Sequence, residues 1–322
     1  MAALFMNLVL RFSCLACIIL SGCTPATSEK PLKPTQTLPT VKDASFPKQK
    51  SYSSDGSDNL LNTLDPDVTS VEKAFDKAQL ALAEGKSERA MFYYVKALQF
   101  EPKNTYALEQ IAALHEQSNK PELALKVYQD IIKIDKDNVT ANESLGLNYL
   151  KNRLYSQAQQ HLSLATSQDE SRWKAQNGLG VIADLQKEYS KAIGYYQKAL
   201  ASNPSSPMLL NNIGYSYYLS GDSNTARNYF NQALSFDSQY QRAIYNLALI
   251  EIKNQQYEAA VTLFNRIMPP YESYNNVGYI CMINSQYAAA ESYFRQAIDE
   301  SPSYFPQAQA NLEQLESLRS RE

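Results

Sequence analysis

Alanine returns along this chain at Ala90, Ala124, Ala158, Ala192, Ala226 and Ala260, each 34 residues after the last, and once more at Ala290 after a gap of 30. A frame of neighbours travels with it. Four residues later stands a large apolar or aromatic side chain: Tyr94, Tyr128, Leu162, Tyr196, Phe230, Phe264 and Phe294. Seven later stands a compact apolar one: Ala97, Ile131, Ala165, Ala199, Ala233, Ile267 and Ala297. Twelve later, proline occurs three times (Pro102, Pro204, Pro302), and twelve earlier there is always a small residue: Ala78, Ala112, Gly146, Gly180, Gly214, Ala248 or Gly278. No single unit of this length covers its own apolar face. Only the next copy can, so the pattern dictates a stack and not a globule around one centre.

Spacings of four and seven place these residues on one face of a helix. Two antiparallel helices approach closely only where their facing side chains are short, which the small residue and the alanine provide. The large residue one turn on is expected to fill the wedge between that pair and the following unit. Proline suits the end of the second helix, because it cannot continue one and holds its predecessor extended. Enlarging an alanine, as in Ala192→Leu, is expected to overpack a junction at a cost of about 1–3 kcal/mol. This frame resembles the tetratricopeptide repeat, a helix–turn–helix unit. The expected fold is therefore all-α: a tetratricopeptide-repeat solenoid of about seven helical hairpins, with repeats at 71–104, 105–138, 139–172, 173–206, 207–240, 241–270 and 271–304. The sixth is four residues short and ends in Pro269-Pro270, so a clipped second helix or a tightened loop is expected there. Residues 305–322 hold an amphipathic stretch from Pro306, with Leu312, Leu315 and Leu318 at helical spacing, suited to cap the last repeat.

Residues 1–22 form an address. Arg11 precedes an apolar run, Phe12 to Leu20, that ends in Leu20-Ser21-Gly22-Cys23, the arrangement of a secretory signal whether Met1 or Met6 is the start. The run is too short to span a bilayer core of about 30 Å. Its last four residues resemble the lipobox of bacterial lipoproteins, which implies acylation of the Cys23 thiol and cleavage just before it. Thr24 follows, not aspartate, and by the same resemblance this favours the outer membrane. From there to residue 67, proline, serine, threonine and lysine (Lys30, Lys33, Lys42, Lys48, Lys50) dominate without a helical period, the composition of a disordered tether. Roughly 45 residues of flexible coil would span on the order of 35 Å.

A net charge of −3 offers no basic face for nucleic acid. Cys14 and Cys17 leave with the signal and Cys23 is consumed by lipid, so Cys281 remains as a core residue of the last repeat, which an oxidising compartment tolerates. No catalytic constellation, cofactor loop or metal-ligand grouping stands out. His115 and His161 fall on different helices, Gly146, Gly180 and Gly214 are packing positions, and Gly85 and Gly221 mark turns between helices. Trp173 opens the fourth repeat at an inter-repeat joint. The chain reads as a binding protein and not an enzyme.

The first helix of each repeat is expected to line a concave wall. In the last three repeats this wall carries Asn212, Asn246 and Asn276 at one equivalent position, with Asn177 and Asn211 beside them in the frame. A carboxamide both donates and accepts, so such asparagines suit the main chain of an extended peptide. Tyr215, Tyr245 and Tyr279, with Tyr218 and Met282 near them, supply rigid aromatic anchors. The first two repeats offer Glu72, Asp76, Glu109 and Glu116 instead, an acidic end.

One resemblance goes beyond the generic frame. Asn211-Asn212-Ile213-Gly214-Tyr215 recurs as Asn275-Asn276-Val277-Gly278-Tyr279 around the shortened repeat, and the chain finishes with Ser301-Pro302-Ser303-Tyr304-Phe305 and Asn311-Leu312. With a lipobox in front, this is similar to the TadD-type assembly lipoproteins of the tight-adherence (Flp) pilus. The resemblance implies a pilotin: an outer-membrane lipoprotein, facing the periplasm, that binds a secretin or another pilus component. It carries over Cys23 as the lipid site and no catalytic residue. Two alternatives share the same frame, a scaffold lipoprotein recruiting cell-wall enzymes and a pilotin of type IV pili.

Overall fold

Several helices begin where the sequence supplies an oxygen for their unpaired first N–H groups. Asn104 Oδ1 accepts from the Ala107 amide at 2.9 Å, Asn138 Oδ1 from Ala141 at 2.9 Å and Asp222 Oδ1 from Thr225 at 3.0 Å. Each satisfies a donor the helix leaves open. The computed structural model describes residues 65–320, and among them are fifteen α-helices and no strand, the expected class. In chain order they form pairs: α1 (Val71–Ala83) and α2 (Ser87–Phe100), α3 (Thr105–Gln117) and α4 (Pro121–Ile134), α5 (Val139–Lys151) and α6 (Tyr155–Gln168), α7 (Trp173–Leu185) and α8 (Tyr189–Ser202). Then come α9 (Pro207–Leu219) and α10 (Ser223–Phe236), α11 (Gln241–Lys253) and α12 (Tyr257–Phe264), α13 (Pro270–Ile283) and α14 (Tyr287–Asp299), and last the unpaired α15 (Pro306–Arg319).

The turn inside each pair needs one left-handed residue. Gly85 (φ 72°) and Gly221 (φ 97°) meet that need without strain, as their expected role as turn markers requires. At the equivalent place the other pairs use Asn119, Arg153, Lys187, Gln255 and Ser285, with φ between 55° and 63°. Two hydrogen bonds hold such a turn: after α7, Lys187 N donates to Asp184 O and Glu188 N to Ala183 O, both at 2.9 Å.

The described residues divide into two compact units, one ending at Ala124 and the other starting at Leu125. In the first, α2 packs against α1 and α3. Asp65, within the last residues of the stretch expected as a tether, is joined to this unit by side-chain and main-chain bonds. Its carboxylate takes the Lys77 ammonium at 2.7 Å and the Tyr93 hydroxyl at 2.8 Å, while the buried Lys96 donates to its carbonyl. The signal segment, Cys23 and the rest of the tether lie outside the described residues.

In the second unit, α5–α6, α7–α8, α9–α10, α11–α12 and α13–α14 close as hairpins, and each second helix packs on the first helix that follows. First helices also meet one another: α5 touches α7, α9 touches α11, α11 touches α13 and α13 touches α15. The row of first helices is therefore where neighbouring hairpins draw together, and it forms this unit's inner wall.

Glycine makes the close approach within hairpins possible. A Cβ on Gly180 would stand 2.5 Å from the Tyr196 ring, and on Gly146, Gly214 or Gly278 it would stand 2.7 Å from Leu162, Phe230 or Phe294. At Gly214 and Gly278 it would also come within 3.1 and 3.2 Å of the Ala226 and Ala290 carbonyl oxygens. The large residue thus sits first on the glycine of its own hairpin. It then reaches the next hairpin, as Phe230 does in joining Ala243, Leu247 and Ile250. The expectation of a wedge filler captured only the second contact. In the sixth pair α12 has just eight residues and ends before Pro269-Pro270, the clipping that the short repeat foretold. At the far end Leu312 and Leu315 of α15 are buried in one cluster with Cys281 and Phe294, so this helix caps the last hairpin.

Candidate functional site

The asparagines of the inner wall first of all hold each other. Asn212 Nδ2 donates to Asn177 Oδ1 at 2.9 Å, Asn246 Nδ2 to Asn211 Oδ1 at 2.9 Å, and Asn311 Nδ2 to Asn275 Oδ1 at 2.9 Å. Asn276 makes the equivalent reach to the Tyr245 hydroxyl at 3.3 Å and also to Met268 Sδ at 3.0 Å. Apart from the contact with Met268, which lies in the turn after α12, each of these bonds runs from one first helix, or from α15, to the first helix before it, so the series clasps α7, α9, α11, α13 and α15 in order. Burial explains the pairing: Asn211, Asn212 and Asn275 are almost closed to solvent, and a buried amide without a partner is costly. Asn212, Asn246 and Asn276 were expected to pair with the main chain of an extended peptide. Each of the three has an N–H committed to a neighbour, and Asn212 is only 5% exposed, so Asn246 and Asn276, both half-buried, retain more of their surface.

The tyrosines present more of themselves. Tyr245 and Tyr279 are 38% and 37% exposed, and Leu185, Leu219 and Ile283, which end α7, α9 and α13, are exposed as well. Tyr245 rests edge-on against Phe264 with centroids 4.9 Å apart. Tyr215 stacks on Tyr218 at 6.3 Å, and the Lys253 ammonium lies 5.7 Å from the Tyr218 centroid. Met282 is buried and serves the core. In the first unit Glu72, Asp76 and Glu116 are exposed and Glu109 is half-buried. A hydrogen bond from Ser70, the cap of α1, holds the Glu72 carboxyl below its usual range.

Asp184 was not singled out from the sequence. It occupies the frame position of Leu150, Tyr218, Ile252 and Met282, a carboxylate in a column that is otherwise apolar or aromatic within the second unit (the first unit has Glu116 there), and that was the available signal. Ser216 Oγ donates to its two oxygens at 2.8 and 3.0 Å, and the buried Tyr196 hydroxyl donates to Oδ2 at 2.8 Å. Asp184 therefore ties α7 to its own partner α8 and to α9 of the next hairpin. Burial pushes its carboxyl up to about 6, against the two hydroxyls that pull the other way.

The residues with reactive chemistry are occupied structurally. Asn142 Nδ2 donates to the Lys136 and Asn138 carbonyls, so its Oδ1 faces His161 Nδ1, 2.8 Å away, as an acceptor, and His161 Nδ1 carries the proton. Tyr149 stacks on the imidazole at 5.4 Å, and burial lowers the His161 pKa. His115 is lowered too, by burial and then by Lys120. Cys281 is fully buried, and that burial pushes its thiol up to about 12, far from a reactive thiolate. Among the described residues no group of three or more His, Cys, Asp or Glu is placed to hold a metal ion.

Stacked helical hairpins with an aromatic inner wall define a class, the helical-repeat protein-interaction scaffold. Comparison with known proteins gives the family. Models of the tetratricopeptide repeat match residues 74–104, 144–207, 195–228, 217–273 and 271–304. The uncharacterised protein ycf37 of Cyanophora paradoxa is 32% identical over 134 residues, which are 40% of this chain and 74% of that protein. A TPR repeat-containing protein of Methanocaldococcus jannaschii is 27% identical over 271 residues, covering 77% of this chain and 47% of its own length. The crystal structure of a tetratricopeptide repeat protein from Parabacteroides merdae superimposes with a TM-score of 0.51 at 16% identity, over 76% of this chain and 98% of that one, a likeness of fold. This chain belongs to the tetratricopeptide-repeat family, whose repeats serve as scaffolds for protein partners. It spans about half the length of the archaeal relative, and between 16% and 26% of three longer ones.

Proposed function

We propose that this chain is a lipid-anchored interaction scaffold of the bacterial outer membrane, facing the periplasm, whose inner wall holds a secretin or another component of a tight-adherence (Flp) pilus apparatus. The observation that carries the binding role is the exposure of Tyr245 and Tyr279 on the row of first helices, where Leu185, Leu219 and Ile283 are exposed as well. Large apolar and aromatic side chains held on rigid helices lose little freedom when a partner covers them. The anchor is supported by Leu20-Ser21-Gly22-Cys23, and the pilus assignment by the repeated Asn-Asn-x-Gly-Tyr segments at 211–215 and 275–279. Among the described residues no helix is long and apolar enough to cross a membrane. The lipid on Cys23 is the proposed attachment.

A photo-reactive amino acid at position 279, with one at the exposed Gln197 of α8 as control, tests this reading in cells. Crosslinks to a secretin or pilus protein from 279 and not from 197 are expected. Crosslinks to cell-wall hydrolases would move the assignment to a scaffold for those enzymes. Equal labelling from both positions would remove the inner wall as the binding face.

A further inference from the structure

Asp184 is an unusual residue to find on this wall. A carboxylate taken partly out of water is costly unless a cation or enough hydrogen bonds compensate it. Its two donors, Ser216 Oγ from α9 and the Tyr196 hydroxyl from α8, are neutral, and no lysine or arginine among the described residues lowers its carboxyl. Glu116 holds this frame position as an exposed acid in the first unit, whereas within the second unit the column that Asp184 interrupts is filled by Leu150, Tyr218, Ile252 and Met282, so packing alone is served there without a charge. Across the same joint lies a pair of rings. Tyr215 and Tyr218 stack at 6.3 Å; Tyr215 adjoins Ser216, whose hydroxyl holds Asp184, and Tyr218 occupies on α9 the frame position that Asp184 occupies on α7. That ring pair attracts cations: the Lys253 ammonium from α11 sits 5.7 Å from the Tyr218 centroid. Asp184, Tyr215 and Tyr218 are all only partly buried, so a group arriving from the open side of the wall can meet both the carboxylate and the rings.

We propose that Asp184, Tyr215 and Tyr218 form a subsite for one cationic side chain, lysine or arginine, of the protein segment held on the inner wall. The inference rests on the reading of that wall as the binding face and adds the chemistry of its ligand. The incoming cation supplies the charge that Asp184 lacks, while the ring faces receive its apolar stem and part of its charge. Arginine and lysine both fit this chemistry, whereas an uncharged side chain of equal length satisfies only the rings.

The test uses the full chain and three blocked tripeptides that differ at the centre: acetyl-alanyl-lysyl-alanine amide and its arginine and norleucine counterparts. Binding is read from the ring signals of Tyr215 and Tyr218 by NMR. The lysine and arginine peptides are expected to bind about tenfold more tightly than the norleucine peptide. Asp184→Asn keeps an acceptor for Ser216 and Tyr196, and is expected to remove that preference. Tyr215→Leu keeps the carboxylate and is expected to weaken the preference about threefold, which preserves a test should the first variant fold poorly. Equal binding of lysine and norleucine peptides, no ring response to any of them up to about 10 mM, or an undiminished preference in Asp184→Asn overturns the proposal. If position 279 still crosslinks its partner in that event, the cation subsite alone is wrong. If those crosslinks are missing as well, the reading of the wall is lost with it.

Discussion

At the scale of single residues, two glycines in one hairpin separate packing from propensity. Gly180 of α7 faces Tyr196, and an added Cβ would fall 2.5–2.8 Å from three atoms of that ring. The ring is only 1% exposed and its hydroxyl is committed to Asp184, so it has little room to yield. Gly180→Ala is therefore expected to destabilise the second unit by about 1–3 kcal/mol. Gly194 lies inside α8 with nothing within 4 Å of the equivalent position, so Gly194→Ala gains helix propensity at no steric cost. It is expected to stabilise by about 0.5–1 kcal/mol. Urea unfolding of the two variants checks the pair, and a neutral Gly180→Ala would mean that the hairpin is looser than its contacts imply. The same substitution should thus act in opposite directions 14 residues apart.

Between elements, the asparagine clasps turn a row of hairpins into a connected wall. Asn211 Oδ1 receives Asn246 Nδ2, while Asn177 Oδ1 receives Asn212 Nδ2 at the joint before it. Asn211→Ala and Asn246→Ala should each cost about 1–2 kcal/mol, because each leaves a partly or fully buried amide without its partner. The double variant should cost less than the sum, with a coupling of about 0.5–1.5 kcal/mol, whereas Asn177→Ala with Asn246→Ala should be close to additive. Additivity in the first pair would show that the clasp contributes no stability. This scale also separates what was legible in the sequence from what was not. The hairpins could be read because their signal is local: a glycine, an alanine and an aromatic at fixed intervals on one face. The clipped α12 was visible in a missing four residues. The clasp was not, because the residue opposite Asn246 depends on how adjacent hairpins register, and the same frame position is Asn211 in one repeat and Tyr245 in the next. Asp184 was overlooked for a related reason. A lone acid in an amphipathic helix reads as solvated until Ser216 and Tyr196 are seen to close on it.

For the whole molecule, the proposed function makes attachment and recognition separable. Attachment would reside in Cys23, in the N-terminal segment outside the described residues, and recognition in the inner wall of the second unit. Acyl chains anchor by burying methylene groups at about 0.8 kcal/mol each, so stable membrane residence needs more than one chain and is lost when the thiol that carries them is absent. Cys23→Ser is therefore expected to move the protein from the membrane fraction to the soluble one. Its circular dichroism melt should remain unchanged, since among the described residues the hydrogen bonds of the folded body run from Asp65 onward, far along the chain from Cys23. Replacing Tyr245 and Tyr279 together by alanine should have the opposite profile. Both rings are more than a third exposed, so the fold should lose little. Membrane residence should persist while partner capture falls, by about tenfold or more if the two rings are anchors. Fractionation of the two variants, scored beside secretin position and piliation, distinguishes the roles. Normal piliation in the soluble Cys23→Ser protein would count against delivery as its task, because a scaffold that works unanchored has no need to carry its partner to a membrane.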